Sequence, residues 1–453
     1  MRPSREDATL LAWFALFSAG TWIRFHNAML YPSKWGFDAP FNWQYIERLL
    51  TTLALPTPES GWASGHPPLF YYAAAGLVRL LGPPSPRAAI IAIRLVSSAA
   101  GIGTAALAAW LVRRVDHGKT IRAMLAAALV LFLPAHIMMS AALSEEILAS
   151  FLASLAIAGA AAALASRHHG RAELLHAGGV GVAAGLAWLT KLSGVLAVPA
   201  ALAGELVDGW RRRDFRAAAW RCLVLGVAAL GVGGWFYARN LWLYGYIYPH
   251  DLNVHKIMYT MPPGERRALD YLRFPVATFT DSQLLNPDLL RSVWGSTYAT
   301  LWFDGHRHFL PTEDVAVRRT GTLLLVLALV PSTAFFAGLV RACRRVWRGG
   351  GSADVPLLSL VALTVAGYAV FTWSNPYFAA LKGTYLLIAV LPFAFYASEE
   401  LARWTRPPGM RALAVWLALA ALALAVGAVF SFGVVFTRTE PPGLQWLHQE
   451  WRP

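Results

Sequence analysis

The sequence predicts an all-α polytopic membrane protein with about 11 transmembrane helices. Three observations carry that reading. Of 453 residues, 57% are hydrophobic and the mean hydropathy is +0.47. Only 14% of residues are charged, against roughly 25% in soluble domains. The apolar residues are gathered in runs that approach or exceed the about 20 residues needed to cross a bilayer.

In chain order these runs are 8–30, 88–112, 119–140, 144–166, 173–190, 193–209, 217–238, 319–341, 355–373, 383–400 and 410–436. The first lacks a small-x-small cleavage site and is read as a retained span. A further run, 66-HPPLFYYAAAGLVRLLG-82, is borderline in length. The positive-inside rule decides it. With Arg2 and Arg5 inside and 66–82 not crossing, five clusters all fall inside: 113-RRVDHGKTIR-122, 167-RHHGR-171, 211-RRRDFR-216, 341-RACRRVWR-348 and 403-RWTRPPGMR-411. If 66–82 crossed, all five would face outside. The N-terminus is therefore placed inside and the C-terminus outside.

This arrangement also explains the net charge of +14. The arginines sit in loops, and no basic stripe interleaved with aromatics points to nucleic acid. Arginine outnumbers lysine and alanine is abundant, as in a GC-rich bacterial genome, so the bacterial inner membrane is the expected location. Cys222 and Cys343 both lie beside arginine clusters, which argues against a disulfide or a cysteine zinc site. There is no internal repeat.

Two outer segments are large, about 31–87 and 239–318. They divide the chain into a membrane module at 1–238, an outer loop at 239–318 and C-terminal helices at 319–453. In 41-FNWQYIERLL-50, Phe41, Tyr45, Ile46, Leu49 and Leu50 share one helical face, and Asn42, Glu47 and Arg48 another. That pattern predicts a helix lying on the outer leaflet. Pro67 and Pro68 suit the first turn of a second such helix.

Sorted by depth, the ionisable residues leave the middles of the spans nearly empty and collect at their outer ends. Asp38 and His66 lie in the first outer loop, and Arg94 about two turns inside the second span. Glu145 and Glu146 open the fourth span, Lys191 sits in the turn 188-WLTKLSG-194, Arg239 ends the seventh span, and Lys382 lies in 373-WSNPYFAALKGTYLL-387. Polar groups at this depth are costly and tend to be functional. Acids, cations and aromatics on one face suit an amphiphile with an anionic head, such as a sugar joined through phosphate to a polyprenol. The phosphate needs fixed cations, and an acceptor hydroxyl needs a carboxylate base within reach.

The ordered set of Asp38, 66-HPPLFYYAAAGLVRLLG-82 with 94-RL-95, 144-SEEILASF-151, 185-GLAWLTKLSGVLAVP-199, 239-RNLWLYG-245 and 382-KGTYLLIAVLP-392 resembles the GT-C glycosyltransferases. It is most similar to the group containing lipid A aminoarabinose transferases and protein O-mannosyltransferases. The resemblance covers most of residues 1–400. It implies a polyprenyl-phosphate-sugar donor, inverting transfer to an acceptor at the outer face, and Asp38 as the catalytic base. Glu145 or Glu146 assists. The candidates for binding the lipid phosphate or the donor are His66, Arg94, Lys191, Arg239, Lys382 and Tyr385. Many relatives carry an Asp-Glu pair in the first loop, whereas here Ala39 follows Asp38, and an acidic doublet replaces a single Asp in the second. A divalent ion, Mg or Mn, held by Glu145, Glu146 and His66, stays open.

Structural readings stand beside these. Asp38 and Pro40 suit a helix N-cap and first turn. The glutamates suit a helix N-terminus. Lys191 and Arg239 suit snorkelling anchors, and Arg94 an ion pair between helices. His168 and His169 read as solvated loop residues. The run Asp304-Gly-His306-Arg-His308 reads as a turn before it reads as a metal site. Two rival functions remain: a lipid-linked sugar flippase, which calls for interrupted helices and mid-membrane charge, and a polymer ligase using a polyprenyl diphosphate donor.

Overall fold

In the computed structural model the described residues are 5–33, 35–116, 119–166, 171–249, 256, 258, 260–282, 286–306, 310, 314–406 and 408–431. Arg2, His168, His169, His308 and the end of the last predicted span, 432–436, lie outside them. Among the described residues the regular structure is helical. The helices are α1 Arg5–Leu30, α2 Ala39–Thr52, α3 Leu69–Leu81, α4 Pro86–Val115, α5 Thr120–Leu131, α6 Pro134–Ala141, α7 Glu146–Ala165, α8 Arg171–Thr190, α9 Ala197–Arg212, α10 Phe215–Ala229 and α11 Trp235–Tyr244. Short helices α12 Ala277–Thr280, α13 Pro287–Leu290 and α14 Val293–Trp302 follow. The chain then continues through α15 Val315–Leu327, α16 Leu329–Trp347, α17 Asp354–Ser374, α18 Val390–Trp404 and α19 Met410–Phe430.

Among the described residues ten helical segments are long and apolar enough to cross a membrane, and the bent pair α5–α6, taken as one span, makes an eleventh. Their order matches the eleven runs read from the sequence. Helix α3 has 13 residues, about 20 Å at 1.5 Å per residue, which is too short for a 30 Å hydrocarbon layer.

Local chemistry sets the ends. Ser85 Oγ accepts from Ala88 N at 3.2 Å and Pro86 occupies the first turn of α4, the favoured pairing of a hydroxyl cap with a first-turn proline. Asp214 caps α10 through Ala217 N at 3.1 Å. Helix α2 buries its apolar face in protein rather than lipid. Tyr45, Ile46 and Leu49 pack with Phe70, Tyr71 and Ala74 of α3, Ile93 of α4 and Leu143. Asn42, on the polar face of the sequence pattern, is 1% exposed. Its Nδ2 donates to Leu143 O at 2.8 Å and its Oδ1 accepts from Tyr71 Oη at 2.7 Å.

The expectation of nearly charge-free span middles fails where α5 gives way to α6. Pro134 has no N–H to continue the α5 ladder, and the chain bends by 53° between α5 and α6. Arg24 of α1, fully buried, donates to Leu131 O at 2.7 Å and Val130 O at 3.0 Å. Its Nη2 also lies 3.0 Å from His136 Nδ1. The guanidinium satisfies carbonyls at the break, as a broken span requires. It is a plug in packed protein, so the interruption does not build a mid-membrane path.

Candidate active site

Two close backbone approaches shape the site. At the α8–α9 junction the chain turns through Lys191 into a 3-10 segment, Leu192–Leu196. A Cβ on Gly194 would lie 2.1 Å from Ala187 O, so only glycine fits and the Lys191 turn is held against α8. After α17 a second 3-10 segment, Gly383–Ala389, carries Tyr385 and follows Lys382. A Cβ on Gly383 would lie 2.6 Å from Leu301 N. This contact seats α14 of the second outer loop on the segment, where Gly383 N donates to Thr300 Oγ1 at 2.8 Å.

These segments, the start of α2 and the start of α7 enclose a cavity of about 310 Å³. Asp38, His66, Glu145, Glu146, Lys191, Lys382 and Tyr385 all line it. Each sits at the end of its span away from the arginine clusters. Arg94 and Arg239 are not among the lining residues. Arg94 is buried and donates to the carbonyls of Tyr31, Pro32 and Ser33 at 2.6, 2.8 and 3.3 Å, so it clamps the start of the first outer loop. Arg239 donates to Asn240 Oδ1 at 3.2 Å and packs over the Tyr244 ring.

Asp38 occupies the N-cap position of α2 in the left-handed region, φ 50° and ψ 5°. Its carbonyl accepts from Asn42 N at 2.9 Å, but its side chain makes no capping hydrogen bond. The capping reading therefore explains the backbone and not the carboxylate. A non-glycine residue in this region is strained by about 1–3 kcal/mol, and such strain gathers at functional sites. Asp tolerates it better than most residues.

Lys191 Nζ lies 3.2 Å from Glu145 Oε1 and 2.5 Å from Glu146 Oε1. His66 Nδ1 is 3.8 Å from Glu145 Oε1 and 3.0 Å from Tyr71 Oη. Burial pushes the Glu145 carboxyl up, but Lys191 and then His66 outweigh it and hold it below its ordinary value. Burial likewise lowers Lys191, yet Glu146 and Glu145 raise its ammonium well above the usual range. Lys382 is different. It is 7% exposed and its ammonium lies 4.1 Å from the Phe37 ring centroid. Among the described residues it makes no ion pair with a carboxylate.

The donor set offered for a divalent ion does not fit one. The Lys191 ammonium already bridges Glu145 and Glu146, and no group of three His, Cys, Asp or Glu side chains among the described residues could hold a metal. In the Asp304–His306 turn, Asp304 accepts from Leu310 N at 2.8 Å and His306 Nε2 lies 3.0 Å from Leu381 O. Burial, reinforced by Lys382, pushes His306 down to about 3. This neutral ring stands edge-on to Phe37 at 5.4 Å and buttresses the segments bearing Asp38 and Lys382. Sequence reasoning passed over that role. It also passed over Tyr248 and Tyr377 in the cavity wall, although Tyr377 lies five residues before Lys382 in the stretch already singled out.

This architecture has counterparts among solved structures. The structure aligns over 99% of the chain with archaeal oligosaccharyltransferase AglB from Archaeoglobus fulgidus in complex with an inhibitory peptide and a dolichol-phosphate, at 13% identity and TM-score 0.58, covering 58% of that protein. A structure of the same archaeal enzyme with Zn and sulfate aligns over 98% of the chain and 56% of that protein, at 15% identity and TM-score 0.57. ArnT from Cupriavidus metallidurans bound to undecaprenyl phosphate aligns over 93% of the chain and 76% of that protein, at 13% identity and TM-score 0.54. The chain thus spans little more than half the length of the archaeal enzymes. Comparison with curated proteins finds no significant sequence match.

The fold is that of these membrane-embedded oligosaccharyltransferase and ArnT structures. A family model described as dolichyl-phosphate-mannose-protein mannosyltransferase matches residues 22–240, the part that carries Asp38, His66, Glu145, Glu146 and Lys191.

Proposed function

We propose that the protein transfers a sugar from a polyprenyl-phosphate donor to an acceptor at the outer face of a bacterial inner membrane, with inversion at the anomeric carbon. The observation that carries this reading is the shared cavity, where a carboxylate relieved of capping duty, Asp38, lines the same space as the buried Lys382. Asp38 takes the proton of an acceptor hydroxyl or amine as that atom attacks the anomeric carbon. The carbon–oxygen bond to the lipid phosphate breaks from the opposite face, and the phosphate leaves with the bonding pair. A phosphate is a good leaving group, so no general acid is needed.

Lys382 is the better phosphate ligand, because Lys191 is already matched by two glutamates. One contact that tightens on developing charge is worth about 2.7–4 kcal/mol. Lys191 in turn fixes Glu145 beside His66, which orders the cavity wall. The undecaprenyl phosphate and dolichol-phosphate bound by the ArnT and AglB structures support a lipid monophosphate as the donor's carrier. The test is a transfer assay with purified protein and lipid-linked sugar. The expected products are an inverted glycoside and polyprenyl monophosphate. Release of a diphosphate, or retention of configuration, contradicts the proposal.

A further inference from the structure

A second cavity lies at the opposite, arginine-rich end. It is a groove of about 520 Å³ between the first half of α1 and the last turns of α4. Leu10, Trp13 and Phe17 form one wall, and Trp110, Arg113 and Arg114 the other. Ala106 and Ala109 keep its floor low. The α1 side is thinly packed: Leu10 is 67% exposed and Phe14 73%. Farther along α1, Arg24 pins the helix to the α5–α6 break.

Several arginines near this end are engaged. Arg122, Arg221, Arg341, Arg345 and Arg403 all face carboxylates. Arg113 and Arg114 are exposed and, among the described residues, carry no ion pair. Asp116 beside them is claimed by Arg122 and Lys119. Glu6 and Asp7 lie a turn beyond Leu10, which places any anion on the α4 side.

We propose that this groove binds one anionic glycerophospholipid of the arginine-side leaflet. Its phosphate sits on Arg113 and Arg114, and an acyl chain lies along Leu10, Trp13 and Phe17. Two adjacent cations at the mouth of an apolar groove complement a lipid with a net negative head, and tryptophans at headgroup depth suit such an interface. The bound lipid braces the loose half of α1 against α4.

The test uses the full chain in detergent, titrated with phosphatidylglycerol or phosphatidylcholine and followed by thermal unfolding and native mass spectrometry. Phosphatidylglycerol is expected to raise Tm and persist as a single-lipid adduct, and phosphatidylcholine to do neither. R113Q/R114Q loses both effects, whereas R113K/R114K keeps them. R344Q/R348Q, which removes two exposed arginines elsewhere on the same end, also keeps them. The proposal is overturned if R113Q/R114Q retains phosphatidylglycerol like the parent, if R344Q/R348Q loses it equally, or if phosphatidylcholine matches it. Both readouts are independent of glycosyl transfer.

Discussion

The two ends of the helical bundle use the same charged residue types to opposite purposes. At the arginine-rich end, charges close on one another. Arg345 donates to Asp354 Oδ2 at 2.9 Å and Glu399 Oε1 at 2.6 Å, and Arg221 to Glu205 Oε2 at 2.6 Å. These pairs tie α16 to α17 and α18, and α9 to α10. At the other end, Asp38, Lys382 and the Lys191–glutamate cluster face a cavity. The lesson is that charge count does not separate scaffold from site, whereas closure does: a carboxylate whose lone pairs are filled by arginine holds helices together, and one without such a partner is available to substrate.

The contrast is broken most severely at Asp38. Asp38→Asn is expected to lower turnover by about 10²–10⁴-fold, the usual worth of a general base, while Tm stays near the parent value because the carboxylate caps nothing. Steady-state kinetics beside thermal unfolding separate the two effects. Lys191→Met comes next. It leaves Glu145 and Glu146 buried without their shared cation, a loss of about 3–5 kcal/mol, visible as reduced Tm together with reduced activity. Arg345→Met sharpens the comparison from the other side. Losing hydrogen bonds between charged groups costs about 1.5–3 kcal/mol, yet turnover per folded molecule should not change.

Titration gives a smaller effect. The Glu145 carboxyl is depressed, so its contribution to stability is present above its ordinary value of 4.5 and is lost only as pH falls through the lower folded value. The Lys191 ammonium is raised, so its contribution is full below its ordinary 10.5 and is lost only as pH rises past that range. In Lys191→Met the two buried carboxylates lose their shared cation and titrate higher, so the Tm of the variant should fall further behind the parent as pH rises from about 5. Smallest is Arg239→Gln, which lies off the cavity wall. Stability within about 0.5 kcal/mol of the parent and unaltered kcat are expected, and a collapse of kcat would return this arginine to the site.

Much of this was legible in the sequence for a plain reason. Spans are written in long apolar runs, so the helices and the gathering of Asp38, His66, Glu145, Glu146, Lys191 and Lys382 at the end away from the arginine clusters needed no tertiary information. What was hidden depends on contacts between distant segments. Arg94 and Arg239 have the depth of phosphate ligands, but their partners, the loop carbonyls and Asn240, are set by packing. Arg24 was hidden because the carbonyls it satisfies lie more than a hundred residues away, at a break whose sequence mark is one proline. His306 looked like part of a metal turn because its link to Leu381 and Phe37 exists only once the second outer loop docks on α17 and the Lys382 segment.

The central claim is that the cavity away from the arginine clusters is the catalytic centre and that Asp38 removes the acceptor's proton there. Purified Asp38→Asn protein, analysed by mass spectrometry for co-purifying lipid and assayed for transfer, tests it most directly. A folded protein that retains the sugar-bearing polyprenyl phosphate and cannot discharge it is the predicted result. Parental turnover by that variant would contradict the account.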